Sequence, residues 1–338
     1  MPENRYFHIT KAGKLKPKEN LADALSAFSK DGFLWLDYCE PEKADLETLI
    51  GPLNLHPLVV EDCVDKNQIP KIENYPKNTF ILFNAFEYND HILNISEIDV
   101  VIGDNYLITV SHRDSTGQPI LKGIEHYVEN DLGNARQGPA YLLHVLLDHI
   151  VDQKFNSIEA IEEDINESED VILTNLDRFN PADLLRLRRN LVKLRKSLFH
   201  EREILVKICR KYCPYIPEKA ILYYRDVYDH LTKFFELTES SRDIVASLME
   251  MHVSLINNRM TKAANNTNIT VRRLTFITTI FMPLTLLAGI GGMSEWSMMT
   301  GPENWKIAYP LFLIAMAVIG GINYYLLKRI EKRKEKDQ

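Results

Sequence analysis

Hydroxyl and amide side chains are concentrated in and just before a long uncharged stretch of this chain, residues 274–293. The hydroxyls inside the stretch belong to Thr275, Thr278, Thr279 and Thr285. Each could line a water-filled passage, or could donate a hydrogen bond back to a carbonyl of its own helix. The polar residues just ahead of the stretch are Asn257, Asn258, Asn265, Asn266, Thr267 and Asn268. A helix with so polar a surface is not expected to stand alone, so we predict that several copies associate around a central axis.

Two carboxylates, Glu295 and Glu303, follow the uncharged stretch within a short loop. In a symmetric assembly they would form rings at the outer mouth of a passage and raise the local concentration of cations. They could equally do no more than keep the loop solvated. The sequence leaves both interpretations open.

Other groups of reactive residues fit metal binding or catalysis less well. Cys209 and Cys213 could share a metal with His200, but no second ligand pair at zinc-site spacing accompanies them. The acidic run at residues 159–170 could bind divalent cations between subunits, although such runs are usually solvated helix faces. The sequence contains no Ser/His/Asp, Cys/His or phosphate-loop arrangement. We therefore predict no enzyme and no cofactor.

Two apolar stretches are long enough to cross a lipid bilayer as helices. Residues 274–293 and 307–327 carry no charge, and about 20 apolar residues span the hydrocarbon core. We predict transmembrane helices at 272–293 and 307–327, an extracytoplasmic loop at 294–306 and a basic cytoplasmic tail at 328–338. Everything before Arg272 is expected to be soluble.

The placement of basic residues predicts the orientation of this hairpin. Arg272 and Arg273 precede the first stretch, Lys328 and Arg329 begin a basic tail after the second, and the loop between them contains only Lys306. The positive-inside rule puts both termini in the cytoplasm of a multi-pass protein of the cell (inner) membrane. No signal peptide is visible at the N-terminus. Because topology explains the basic tail, nucleic-acid binding is not indicated.

The soluble part begins with short β-type runs and continues with helices. The runs start at Phe33, Thr79, Ile92 and Asn105. In the last of them, Tyr106, Ile108 and Val110 alternate with polar neighbours, which predicts a half-buried strand. Helical patterns occupy residues 21–30 and 44–50, and a further helix starts at His56 with Pro57 in its first turn.

Three long helices are predicted after residue 118. The first starts at Gly138-Pro139 and becomes acidic, and the second starts at Asn180-Pro181 and is basic. This contrast suits an antiparallel helical hairpin with charge pairing along its exposed edges. The third starts after Pro217, and a continuous helix from there through the first span would be on the order of 110 Å long. No monomeric globular core needs such a rod.

Two segments of the chain resemble the CorA family of divalent-cation channels. The run IFMPLTLLAGIGGMS, residues 280–294, is similar to the family's first transmembrane helix, including Pro283 and most of a closing Gly-Met-Asn signature. The run HPLVVEDCVDKNQIPKIENY, residues 56–75, is similar to a stretch of the family's cytoplasmic domain. With the hairpin, a second span opened by Pro310 and the basic tail, the resemblance covers nearly the whole chain.

The resemblance implies an α+β membrane protein that forms a funnel-shaped homopentamer. Residues 1–217 would form a cytoplasmic α/β/α domain with a helical hairpin, and residues 218–271 a stalk helix. The first spans would line the pore and the second spans would form an outer ring.

The resemblance also assigns roles to residues near the first span. The pore-facing positions fall on Asn268, Leu274, Met282, Thr285, Gly289, Gly292, Met293 and Ser294. Among these, Asn268 and Ser294 would contact the hydrated ion, and Leu274 and Met282 would form an apolar gate. Arg272, Arg273, Lys328 and Arg329 would form an inner basic ring.

The chain departs from the family signature at Ser294, where the family has asparagine, and Gly291 replaces the usual aromatic residue. Mg²⁺ dehydrates reluctantly, so a channel does better to hydrogen-bond the waters of the hydrated ion. Serine still offers an oxygen acceptor, but it is shorter than asparagine and would leave a wider ring. We expect a weakened or altered selectivity for Mg²⁺.

Three functions follow from the resemblance. The first is passive transport of a divalent cation, Mg²⁺ with Co²⁺ or Ni²⁺ as further candidates. The second is a ZntB-like transporter that prefers Zn²⁺ or another transition metal. The third is a nonconducting membrane scaffold or sensor.

Overall fold

A computed structural model describes residues 4–27, 31–292, 301 and 303–334. The chain divides into two compact units, Met1–His252 and Val253–Gln338. A mixed sheet and its covering helices form the first unit. The second contains the apolar helices.

The sheet has seven strands, in the order β2-β1-β3-β7-β6-β5-β4. The strands are β1 Arg5–Thr10, β2 Lys14–Lys18, β3 Phe33–Cys39, β4 Ile72–Asn74, β5 Thr79–Asn89, β6 Ile92–Ile102 and β7 Tyr106–Ser111. β3 and β7 pair in parallel, and the other neighbours pair antiparallel. The four predicted strands are confirmed as β3, β5, β6 and β7. The strands β1, β2 and β4 are not among the predicted ones.

The prediction that the last strand is half-buried is wrong, because all six residues of β7 are buried. One face of β7 carries Tyr106, Ile108 and Val110, which join the core beneath the first helices. The other face is covered because α7, Pro139–Thr174, contacts the sheet. The polar Thr109 on that face accepts a hydrogen bond from Trp35 Nε1 at 3.1 Å and donates one to Asp37 Oδ1 at 2.6 Å. Because the Thr109 hydroxyl has both a donor and an acceptor partner, its burial leaves no hydrogen-bonding group unsatisfied.

Four short helices cover the first face of the sheet. They are α1 Leu21–Ala27, α2 Lys43–Glu47, α3 Ile50–Leu53 and α4 Pro57–Asp62. The predicted helix at 44–50 is therefore split between α2 and α3. The start at Pro57 is confirmed, and His56 Nδ1 accepts a hydrogen bond from the Leu58 N–H at 3.2 Å.

The other face is covered by the long helical hairpin of α7 and α8, Pro181–Cys209. Two short helices, α5 Ile124–Asn130 and α6 Leu132–Ala135, precede it. The predicted starts at Pro139 and Pro181 are confirmed. At the second start, Asn180 caps the helix by accepting a hydrogen bond from the Ala182 N–H at 3.1 Å.

The ion pair that joins α7 to α8 lies in the interior, which corrects the predicted pairing along exposed edges. Lys154 of α7 contacts Glu201 of α8, and both side chains are fully buried. Glu201 also accepts a hydrogen bond from the backbone N–H of Asn84 in β5, at 2.9 Å. On the outer side, Arg195 of α8 pairs with Glu239 on the third long helix.

The third long helix, α9, runs from Ile221 to Gly291 without interruption and follows a 3₁₀ turn at Glu218–Ala220. The predicted start after Pro217 is confirmed, and Pro283 lies inside the helix. The last helix, α10, is Trp305–Lys334 and contains Pro310, so it begins five residues before the proline expected to open it. By length and composition, both α9 and α10 contain a stretch that could cross a membrane.

Asp99 on β6 predicts a pH dependence of stability. Burial, together with the nearby Glu97 and Asp62, raises its pKa from an ordinary 3.8 to about 8. Between these values the folded protein holds a proton that the unfolded chain has released, so stability falls as the pH rises towards 8. The slope from this one group is at most about 1.4 kcal/mol per pH unit.

Replacing Asp99 with asparagine should flatten this dependence and raise the melting temperature above that of wild type at pH 8. Thermal unfolding of the detergent-solubilised chain between pH 5 and pH 9 measures the effect. The exposed Asp104→Asn is the matched control and should leave the curve as in wild type. Parallel curves for wild type and Asp99→Asn would contradict the prediction.

Candidate functional site

One side of α9 is covered by α10 within the second unit. Phe276 and Ile280 of α9 line a cavity of about 200 Å³ together with residues near the end of α10. Further along, a Cβ atom added at Gly320 would lie 3.5 Å from Leu284 Cδ1. Between residues 274 and 291, the partly buried residues of α9 are Phe276, Ile280, Pro283, Leu284, Leu287 and Gly291. Their spacing of three and four places them on one helical face.

The residues predicted to face a pore lie on the opposite side of α9. All those that the structure describes are exposed: Asn268, Leu274, Met282, Thr285, Gly289 and Gly292. Leu274 is 61% exposed and Met282 is 75% exposed. At 3.6 residues per turn these positions fall within an arc of roughly 120°, whose centre is about 170° from the centre of the face that α10 covers.

Three of these residues also share one shallow depression on the helix surface. Met282, Thr285 and Gly289 line it together with Leu286 and Ile290. Leu286 and Ile290 are not among the predicted pore residues. Met282, Leu286 and Ile290 follow one another at a spacing of four, which is the sequence signal for a shared helical face. A Cβ atom added at Gly289 would meet no atom within 4 Å. This part of the face therefore has room for a larger side chain.

Three of the four threonine hydroxyls in the apolar stretch of α9 bond to their own helix. Thr275 donates to the carbonyl of Val271 at 2.9 Å, and Thr285 donates to that of Phe281 at 2.8 Å. Thr278 donates to the carbonyl of Leu274 at 3.1 Å. A hydroxyl that donates in this way keeps lone pairs that can accept a hydrogen bond from water. Thr285 therefore fits both predicted roles. Its hydroxyl bonds to a carbonyl of its own helix, and its exposed side chain could still line a water-filled passage.

The predicted basic and acidic groups flank the apolar stretches of α9 and α10. Arg272 and Arg273 are exposed on α9, and Arg329 is exposed on α10. Lys328 Nζ lies 5.6 Å from the centre of the Tyr324 ring. Glu303 is exposed in the turn before α10. The other predicted residues, Met293, Ser294 and Glu295, lie outside the described residues.

The candidate metal-binding residues of the first unit are dispersed. In the acidic run, Asp164 accepts hydrogen bonds from Tyr88 at 2.5 Å and pairs with His91 at 2.7 Å. Burial raises the pKa of both the Cys209 and Cys213 thiols, which disfavours the thiolate that binds metal. Within the part of the chain that the structure describes, no group of three or more His, Cys, Asp or Glu residues is placed to hold a metal ion.

Comparison with known proteins identifies the family. Residues 30–329 match the family of CorA-like Mg²⁺ transporter proteins, and the chain belongs to it. The cobalt/magnesium transport protein CorA of Thermotoga maritima is 32% identical over 87% of this chain and 82% of its own length. The putative metal ion transporter YfjQ of Bacillus subtilis is 31% identical over 87% of this chain and 88% of its own. The zinc transport protein ZntB of Yersinia enterocolitica is 23% identical over 88% and 87%.

Solved structures share the fold of the whole chain. The complete CorA magnesium transporter from Methanocaldococcus jannaschii superposes with a TM-score of 0.71 at 23% identity, covering 96% of this chain and 97% of that one. The full-length CmaX protein superposes with a TM-score of 0.68 at 17% identity, covering 97% of both chains. The family predicted from the two sequence runs is thereby confirmed.

Proposed function

We propose that this protein transports divalent cations across a membrane through a central passage lined by the first spans of several copies. The observation that carries the proposal is the position of the predicted pore residues, which occupy the exposed face of α9 opposite α10. In a ring of copies with α10 on the outside, that face is the one directed at the axis. Divalent cations are proposed as the cargo because the chain is similar to relatives such as the cobalt/magnesium transport protein CorA.

The chemistry of the face supports a wet passage. Thr285 lies within the span, and its hydroxyl keeps lone pairs that water in a passage could use. Asn268, in the stalk, adds an exposed amide to the same face. Leu274 and Met282 on the same face are suited to an apolar constriction, which can gate by excluding water. We infer that the copies form the funnel-shaped homopentamer that the resemblance to the family implies, with this face of each copy directed at the passage.

The proposed topology follows from charge. Both termini lie in the cytoplasm, with Arg272, Arg273, Lys328 and Arg329 as an inner basic ring at the surface of the inner membrane. Residues 1–217 form the cytoplasmic domain, 218–271 the stalk and 294–306 the outer loop. Glu295 and Glu303 in that loop attract cations to the outer mouth.

Mg²⁺, with Co²⁺ or Ni²⁺, is the proposed cargo, and a second candidate is Zn²⁺. The second is favoured by the similarity to a zinc transport protein and by Ser294 in place of the family's asparagine. A nonconducting scaffold or sensor is the remaining alternative, and the transport assay described next distinguishes it.

Replacing Ser294 with asparagine should improve discrimination in favour of Mg²⁺, because an amide ring would hold the waters of the hydrated ion more closely. We expect the ratio of Mg²⁺ flux to Zn²⁺ flux to rise on the order of threefold, equivalent to less than about 1 kcal/mol. Fluxes of Mg²⁺, Co²⁺, Ni²⁺ and Zn²⁺ into vesicles containing the purified protein measure it. Ser297→Asn, in the same loop, is the matched control.

The outcomes separate the three functions. Wild-type flux led by Mg²⁺ supports the first, and flux led by Zn²⁺ supports the second. If no ion enters, transport is refuted and the scaffold remains. If Ser294→Asn behaves like Ser297→Asn, the selectivity of the passage is set by other residues.

A further inference from the structure

The aromatic ring of Phe312, on α10, lies directly against the backbone of α9 at Gly291. A Cβ atom added at Gly291 would be 2.7 Å from Phe312 Cζ, 3.1 Å from Cε2 and 3.2 Å from Cε1. Carbon atoms in contact prefer about 3.5–4.0 Å, so the ring occupies the space that any other side chain would need. Gly291 is the last residue of α9 and does not have a positive φ. The neighbouring ring therefore requires a glycine there, whereas the backbone conformation does not.

The fit at this position is tighter than at the other glycines of the two helices. An added Cβ at Gly289 or Gly321 would meet nothing within 4 Å, and at Gly320 it would make an ordinary contact of 3.5 Å. Phe312 and Gly291 are both partly buried in the described chain. The close approach is therefore a specific contact between one ring and the last turn of α9.

This contact lies next to the proposed passage but does not face it. Gly291 belongs to the side of α9 that α10 covers, whereas Gly289 and Gly292 belong to the exposed side. A helix end is the least constrained part of a helix, since its last carbonyls lack helical partners. Packed interiors transmit small displacements, so the ring sets how far the last turn can move away from the axis.

We propose that Phe312 is a positioning residue that fixes the last turn of α9 from behind and so sets the width of the passage at Gly289 and Gly292. The inference rests on the proposed function. Phe312 would touch no ion, and it acts on selectivity through the backbone of α9. Because every copy in a ring contributes the same contact, one small displacement is repeated around the passage.

The inference is tested with the full chain reconstituted in vesicles. Gly291→Ala introduces the clashing Cβ, and Phe312→Leu removes the ring. We expect each to change the Mg²⁺ to Co²⁺ flux ratio on the order of threefold, which corresponds to less than about 1 kcal/mol. The double variant Gly291→Ala/Phe312→Leu should return towards the wild-type ratio, because the smaller side chain leaves room for the Cβ. Gly321→Ala is the matched control, since its Cβ meets no neighbour.

The flux ratios and melting temperatures of these variants decide whether Phe312 positions the last turn of α9. The inference holds if both single variants assemble and melt as the Gly321→Ala control does while their flux ratios change, and if the double variant recovers. It is overturned if a conducting protein shows the same ratio in all variants, or if the double variant is as impaired as the sum of the two. A wild type that carries no ion refutes the proposed function, and with it a role in selectivity.

Discussion

Replacing Gly289 with leucine is expected to reduce the cation flux of the reconstituted protein about tenfold or more, equivalent to at least about 1.4 kcal/mol in the barrier. Gly289 lies on the exposed face of α9 between Thr285 and Gly292, where an added Cβ meets no atom. The Cβ of a leucine there has open space within the chain, and the side chain would add a ring of apolar groups to a passage. Such a ring narrows the passage and favours its dewetting.

A matched control is available on α10. Gly321 is also exposed and also has open space for a Cβ, and Gly321→Leu adds the same side chain to a surface that we expect to face lipid. Flux assays on equal amounts of assembled protein compare the two. Equal fluxes for Gly289→Leu and Gly321→Leu would show that Gly289 does not line the pathway.

The second large effect concerns stability. Lys154→Met is expected to lower the free energy of unfolding by about 3–5 kcal/mol, because it leaves the Glu201 carboxylate buried without its counter-ion. Both side chains have no exposed surface. Lys154 also lies 4.8 Å from the centre of the Phe83 ring and 4.6 Å from that of Phe86, contacts that a methionine keeps only in part. Denaturant unfolding of the solubilised chain measures the loss.

Two controls isolate the charge. Lys154→Met/Glu201→Gln removes both charges but keeps an oxygen to accept the Asn84 N–H, so most of the lost stability should return. Lys211→Met breaks an ion pair with Glu218 that is exposed on both sides, and exposed pairs contribute little to stability. An equally small loss in the free energy of unfolding for Lys154→Met and Lys211→Met would contradict the prediction.

Interpretation of the sequence succeeded where the signal is local. The starts at Pro57, Pro139 and Pro181 are confirmed because proline in the first turn is a local signal. At Pro57 and Pro181 a preceding cap residue also accepts a hydrogen bond from the helix. The strands at 33, 79, 92 and 105 are confirmed because each is long and rich in β-branched or aromatic residues. By contrast, β2 has the sequence KLKPK and is held mainly by pairing with β1, so it gives no recognisable local pattern.

Predictions from the sequence were wrong where residues distant in the chain determine burial and pairing. Alternation in β7 suggested water on one face, but α7 covers that face and Asp37 and Trp35 satisfy Thr109. Charge patterns on α7 and α8 suggested pairing at their exposed edges, but the joining pair is buried beneath β5. The sequence shows which residue types could pair with a side chain, but only the packed structure shows which of them are in contact with it.

The sequence by itself determined that the chain ends in two apolar helices, that a long uninterrupted helix leads into the first, and that the family is CorA-like, because length, charge and motif are properties of the chain alone. Only the tertiary structure decided which side of α9 is covered by α10, and hence that Phe312 lies against Gly291 while the predicted pore residues stay exposed. A helix with apolar residues on every face carries no periodic signal of its own, so the choice of face depends on the shape of its neighbour.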